Sequence, residues 1–211
     1  MKKKFLNIYN LTILFTLGCF IGFVSETLFH FMKHHEYINK QGLLYGPFKP
    51  IYGFSLIIIT ALLFRFKNSK FKTFLFGSII GLIFEFVSSL VLEKLFGIYI
   101  WTYKAYKYNI AGRVYLPYAI LWGIMSLVWM CYILPKIETI INKYYSKKYK
   151  IFTILLLSFM IFNIIATIIV QERYKNRLKN ENQNNIVEKF IDRRYPNHVV
   201  QRKFPKLRIV K

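Results

Sequence analysis

The sequence predicts an all-α polytopic integral membrane protein. Three observations carry that prediction. Of 211 residues, 55% are hydrophobic and 19% aromatic. The apolar residues gather in blocks of about 20 separated by short charged stretches, the length of a membrane-crossing helix. The charge is strongly basic, with 31 Lys and Arg against 9 Asp and Glu for a formal +22. A soluble nucleic-acid binder would carry such charge on a smaller apolar fraction, and the aromatic and β-branched content excludes disorder for most of the chain. Two cysteines exclude a disulfide scaffold; Cys19 and Cys131 sit inside apolar blocks and read as small packing residues.

Five helices are expected, near 5–32, 51–66, 71–92, 114–134 and 151–170, forming a membrane domain over 1–170 with a basic soluble tail over 171–211. The first follows Lys2, Lys3 and Lys4 and outruns the apolar core of about 7–15 residues in a signal peptide. It also lacks a small-residue cleavage site, so it is expected to be retained. The second block is the shortest and needs residues from the Gly/Pro-rich segment before it, where the chain is expected to enter the membrane without regular helix. The remaining three span, or nearly span, a hydrocarbon core of about 30 Å at about 1.5 Å per residue. The tail carries 12 basic and 4 acidic residues, with Asn180, Glu181, Asn182, Gln183, Asn184 and Asn185 reading as a flexible joint. Its charge predicts contact with anionic lipid, and no motif points to nucleic acid.

Lys and Arg accumulate on the cytoplasmic side of membrane proteins. An inside N-terminus puts 12 basic residues on that side and 7 in the opposite loops, counted up to the fifth helix. Five crossings then leave the basic tail outside, against the rule. Either one element is re-entrant or the tail is tolerated there.

Ionisable residues within apolar spans are costly and are therefore functional candidates. Glu26 and Glu85 each end a matching pattern, Gly18-x-x-x-Gly22-x-x-x-Glu26 and Gly77-x-x-x-Gly81-x-x-x-Glu85, 59 residues apart. Spacing of four keeps each set on one helical face, with two small residues for close packing and a carboxylate one turn on. Each pattern is followed by a polar loop and another helix. This predicts two parallel helix-loop-helix units plus a fifth helix, both carboxylates lying near one membrane face. The carboxylates are suited to bind a cation, relay a proton or pair with Arg113, or simply to hold helices together.

The first loop contains Gly42, Gly46, Pro47, Lys49, Pro50, Tyr52 and Gly53. Such a segment cannot be continuous helix, and irregular backbone at membrane depth survives only where protein or a polar cavity satisfies it. The second loop reads Leu92-Glu93-Lys94-Leu95-Phe96-Gly97, then Trp101-Thr102-Tyr103, then Asn109-Ile110-Ala111-Gly112-Arg113. Trp101 and Tyr103 suit an interfacial aromatic belt.

Taken in order, four segments resemble the CmpB-like family of ABC-transporter type IV permeases, over about 15–135: Gly46-Pro-x-x-Pro50-Ile-Tyr52-Gly53, the 92–97 segment, Trp101-x-Tyr103 and Asn109-x-x-Gly-Arg113. Two positions depart from it. Thr102 stands where the family usually has an acidic residue, and Lys49 where an uncharged one is usual. The resemblance implies a multi-pass permease subunit of a bacterial plasma membrane, without catalytic residues or cofactor. Its substrate or ion path would draw on Glu26, Glu85, Glu93, Arg113, Asn109, Lys49, Gly46, Pro47, Pro50, Tyr52 and Gly53. The sequence has no Gly-x-x-x-x-Gly-Lys-Ser/Thr phosphate loop, so ATP-driven transport would need a separate P-loop ATPase. Two alternatives stand beside this: a non-catalytic membrane scaffold or regulator, and an embedded enzyme using a metal on His30 and His34, which share a face at i, i+4.

Overall fold

The computed structural model describes residues 5–179, 185–205 and 207–209. The expected joint, Asn185 apart, and Lys2, Lys3 and Lys4 lie outside them. Helix α1 (Ile8–His34) starts where the Asn7 side chain accepts the Asn10 N–H at 3.1 Å. Helix α2 (Pro50–Leu63) opens on a proline, whose missing N–H has no partner to lose in a first turn, and ends in a 3-10 turn, Phe64–Phe66. Helix α3 (Lys70–Phe96) is capped by Ser69 and stopped by Gly97, at φ 63°, a conformation glycine adopts without strain. Short strands β1 (Ile98–Tyr99), β2 (Asn109–Ile110) and β3 (Val114–Tyr115) occupy the next loop, β2 and β3 pairing as a hairpin. Helix α4 (Tyr118–Val128), a π turn (Trp129–Ile133) and helix α5 (Leu134–Tyr144) form one 27-residue run. Helix α6 (Lys147–Leu178), two short helices α7 (Ile186–Arg194) and α8 (Asn197–Lys203), and strand β4 (Arg208–Ile209) complete the order.

Four of these runs are long and apolar enough to cross a membrane: α1, α3, α4 to α5, and α6. The fifth expected span, α2, is short, since its 14 residues and three-residue 3-10 turn reach only about 27 Å. Its depth explains this. The Lys49 N–H, at the start of α2, donates to the Cys19 carbonyl at 3.0 Å, midway along α1. The chain between α1 and α2 therefore descends beside α1 before helix resumes.

The expected spans 71–92 and 151–170 lengthen to 70–96 and 147–178, and both ends of the fourth move. The fourth span starts at Tyr118 instead of Val114, because Val114 belongs to the hairpin. It also continues past Leu134, through Pro135, to Tyr144. Proline lacks an N–H and its ring crowds the carbonyl four residues back; the π turn widens the helix there and lets it go on.

The inside of the bundle is more polar than its outside. On α3 the buried positions are Thr73, Gly77, Gly81, Glu85 and Ser89, every fourth residue, while Phe71, Leu75, Ile79, Ile83 and Val87 point outward. Helices in lipid gain nothing from burying apolar groups against each other, so small and polar residues face inward. Fully buried Thr60 takes the Trp129 indole N–H at 2.8 Å. Around it pack Phe5, Leu14, Leu63, Phe64, Met130 and Leu134.

The two helix pairs repeat each other contact for contact. A Cβ at Gly22 would lie 2.2 Å from the Tyr52 ring, and one at Gly81 would lie 2.3 Å from the Trp122 ring. Gly18 faces Leu56 as Gly77 faces Ser126, and Gly53 lies on Phe15 and Cys19 as Gly123 lies on Phe74 and Ser78. In each case the partners on the first helix of each pair are 59 residues apart and those on the second 70. The matched contacts support the expected parallel helix-loop-helix repeat, α1–α2 and α3–α4.

The segment after α6 folds back on the loops. Val170 and Tyr174 of α6 pack with Leu44, Ile191, Tyr195, Val200 and Phe204, and β4 pairs with β1. Lys203 donates to the Leu44 carbonyl at 3.1 Å, and the Tyr45 and Tyr195 hydroxyls meet at 2.8 Å. The tail therefore shares the end of the bundle with the 35–49 and 97–117 loops, opposite Phe5. In a chain with Cys19 and Cys131 replaced, cysteines at Lys107 and Lys189 are expected to react with an impermeant maleimide from one side, and one at Asn68 from the other. Labelling of Lys107 and Lys189 positions from opposite sides would contradict this arrangement.

Asp192 fastens the tail. Arg173, 5% exposed, grips it in a fork, Nε to Oδ1 at 3.0 Å and Nη2 to Oδ2 at 2.9 Å, and Arg177 adds a third bond. Hydrogen bonds from Arg173, aided by Arg177 against the opposing effect of burial, pull the Asp192 carboxyl down to about 2. A depressed carboxyl stabilises above its unfolded value and loses that contribution as pH falls through its folded one. Protection from hydrogen exchange in α7 and α8, taken relative to the intrinsic amide rate, should be high at pH 5 and fall between about pH 4 and 2, whereas Asp192→Asn should be poorly protected throughout. Equal exchange in the two proteins at pH 5 would remove Asp192 from this role.

Candidate functional site

Both glutamates open into one cavity of about 200 Å³ between the two units, walled by Tyr52, Phe84, Trp101, Tyr103 and Trp122 with Lys49 and Ser55. Glu26, at the loop end of the Gly18/Gly22 face, takes the Tyr52 hydroxyl at 2.8 Å on Oε1 and lies 2.5 Å from the Lys49 ammonium through Oε2. Glu85, on the matching face of α3, takes the Tyr103 hydroxyl at 2.6 Å and the Trp122 indole N–H at 3.2 Å. Tyr52 and Trp122, the ring on each unit's glycine, thus also bind that unit's carboxylate. Glycine is required at both places because the ring of the following helix occupies the space of a side chain.

The 97–117 loop is strapped along α3. Glu85, Ser89 and Glu93 follow at intervals of four, and the loop reaches all three: Tyr103 to Glu85, Arg113 Nη1 to Ser89 at 3.2 Å and Arg113 Nη2 to Glu93 at 2.5 Å. Arg113 and Glu93 therefore bind each other, outside the cavity lining. Asn109 shapes the hairpin turn, its side chain accepting the Gly112 N–H at 2.7 Å and donating to the Tyr106 carbonyl at 2.6 Å. Trp101 donates to the Arg113 carbonyl at 3.1 Å and turns its ring into the cavity instead of outward to an interfacial belt. Burial, with the carboxylate of Glu85 beside it, holds the Tyr103 phenol well above its usual range, so the hydroxyl remains a donor.

The irregular segment before α2 has its backbone satisfied by α6. Asn163, fully buried, accepts the Tyr45 N–H at 3.1 Å and donates to the Tyr45 carbonyl at 2.7 Å, while Thr167 accepts the Leu44 N–H at 3.0 Å. Gly46, at φ 75°, makes the turn, with the Phe48 ring against its α-carbon. Pro47 follows it, Pro50 starts α2, and Gly53 seats that helix on Phe15. Of the predicted residues, Glu26, Glu85, Lys49 and Tyr52 come together at the cavity; Gly46, Pro47, Pro50 and Gly53 shape the descent to it. The His30 and His34 rings lie 4.6 Å apart, and among the described residues no group of three or more His, Cys, Asp or Glu could hold a metal ion.

Sequence reasoning missed Trp122, Phe84 and Ser55 as lining, and Trp101 and Tyr103 as well, which it read as an interfacial belt. A signal for Trp122 existed: Trp122-Gly123 repeats Tyr52-Gly53 as Gly81 repeats Gly22. The model of the family described as "Putative ABC-transporter type IV" matches residues 13–168. The chain belongs to this family. Comparison with curated proteins and with solved structures returns no match. The matched stretch runs from within α1 to within α6 and takes in both carboxylates, both aromatic–glycine pairs and Asn163 of this family member.

Proposed function

We propose that the protein is the membrane subunit of an ABC-type transporter in a bacterial plasma membrane, with the Glu26/Glu85 cavity on its substrate path. The transport unit is the membrane domain, 1–170, and the basic segment 171–211 contacts anionic lipid at the loop face. The observation that carries this reading is the convergence of two carboxylates, Glu85 buried and Glu26 half-buried, from repeated helix pairs on one cavity, beside backbone that leaves helix at membrane depth. Charged groups are kept inside membranes where a solute or ion must be met. Without a phosphate loop of its own, the chain requires a P-loop ATPase to couple transport to ATP.

Cross-linking in cells, purification in mild detergent and mass spectrometry test the pairing; a P-loop ATPase at stoichiometric level is expected. In cells expressing both, Glu26→Gln and Glu85→Gln should each abolish the difference in solute content that the wild-type pair produces, with both variants retained in the membrane. Unchanged solute profiles in both variants would remove the cavity from the path. The ion pair between Glu26 and Lys49 favours the second reading, a scaffold whose carboxylates join helices. Under that reading the substitutions lower the melting temperature and protein level and leave no solute difference to lose.

A further inference from the structure

The two halves of the cavity differ by one charge. In the first, the Lys49 ammonium lies 2.5 Å from Glu26 and 5.7 Å above the Tyr52 ring centre. In the second, Glu85 is 9% exposed and its partners, the Tyr103 hydroxyl and Trp122 N–H, are both neutral. Among the described residues, no Lys, Arg or His forms a salt bridge with it. Internal correspondence locates the difference. Lys49 stands three residues before Tyr52, and the residue three before Trp122 is Ala119. The second unit therefore has the carboxylate, the aromatic ring and the glycine beneath it, but no tethered ammonium.

A buried carboxylate surrounded by lipid-embedded protein is stabilised by a compensating cation. Trp101, Tyr103, Trp122 and Phe84 surround this one with aromatic rings, which attract organic cations through their π faces. They supply few of the oxygen ligands that an inorganic cation needs. We infer that the second half of the cavity binds, from outside the chain, the group that Lys49 supplies to the first: the ammonium of a small alkylammonium compound, held by Glu85 against Trp122 and Tyr103. The inference rests on the transport reading and names its substrate class.

The test is equilibrium binding, which needs neither ATPase nor flux. The full chain in lipid nanodiscs is titrated with n-propylammonium chloride, and with potassium chloride at equal ionic strength, while tryptophan fluorescence is followed. A saturable change with propylammonium alone is expected. Glu85→Gln should weaken it at least tenfold, and Ala119→Lys, which restores the tether, should abolish it without lowering the melting temperature. If Ala119→Lys unfolds the chain, Glu85→Gln and Glu85→Asp decide. No saturable change, an equal response to potassium, or full affinity in Glu85→Gln would overturn the inference. Propylammonium binding without any solute movement in cells would retain it and remove the transport reading. Glu85-dependent solute movement without propylammonium binding would do the reverse.

Discussion

Asn163→Leu is expected to destabilise the protein by about 2–6 kcal/mol and to free the 42–48 segment. Asn163 is fully buried and bonds both the N–H and the carbonyl of Tyr45, whose segment has no helix of its own to satisfy them. Leucine has the same branched four-atom side-chain skeleton but no donor or acceptor, so two buried backbone groups lose their partners, at about 1–3 kcal/mol each. Thr167 keeps both of its bonds, because the Asn163 carbonyl to which it donates at 2.6 Å is backbone, so the Leu44 N–H remains held when Tyr45 is released. Thermal melting in detergent should show a large fall, and hydrogen exchange should quicken at 42–48 before it does in α3. Ile165→Leu is the control, since Ile165 is 52% exposed on the outer face of the same helix. Similar melting of the two variants would mean that the descending segment is held by something other than Asn163.

Gly81→Ala and Gly22→Ala should each destabilise by an amount near the top of the about 1–3 kcal/mol usual for overpacking, and by similar amounts. The added methyl at Gly81 would lie 2.3 Å from Trp122 Cγ, and at Gly22 it would lie 2.2 Å from Tyr52 Cγ, so a ring must leave its place. Moving Trp122 also breaks its bond to Glu85, and moving Tyr52 breaks its bond to Glu26. Gly81→Ala should therefore shift the Trp emission and weaken n-propylammonium binding together. The measurements are melting temperature and fluorescence of both variants beside wild type. A loss at one glycine with none at the other would break the equivalence of the two units.

Most of the architecture was legible because it is periodic. Apolar blocks mark the long helices, and intervals of four on α1 and α3 mark the inward faces and their two carboxylates. The irregular 42–53 segment was legible from its prolines and glycines. What stayed hidden depends on partners distant in sequence. Nothing near Asn163 or Thr167 says that their side chains serve a loop more than 100 residues earlier. Arg113 was an open partner for the carboxylates, and only the fold of the hairpin brings it to Glu93. The shortness of α2 was legible from the block itself; the Lys49 bond to Cys19, which shows the depth at which the helix begins, was not. The repeat was half visible: its first helices align at 59 residues, but the second loop is longer, which moves the Tyr52-Gly53 counterpart to an offset of 70.

The dependence of the descending segment on α6 also sets an order of events on the ribosome. Tyr45 and Asn163 are 118 residues apart, and at about 5–20 residues per second Asn163 is made about 6–24 s after the backbone that needs it. During that interval the Tyr45 amide and carbonyl can be satisfied only by water, so 42–48 waits at the aqueous surface while α3 and α4 are threaded into the bilayer. A nascent chain arrested before residue 163 should expose this segment to protease, and release of the full chain should close it. The first loop of the protein is thus finished by its last long helix.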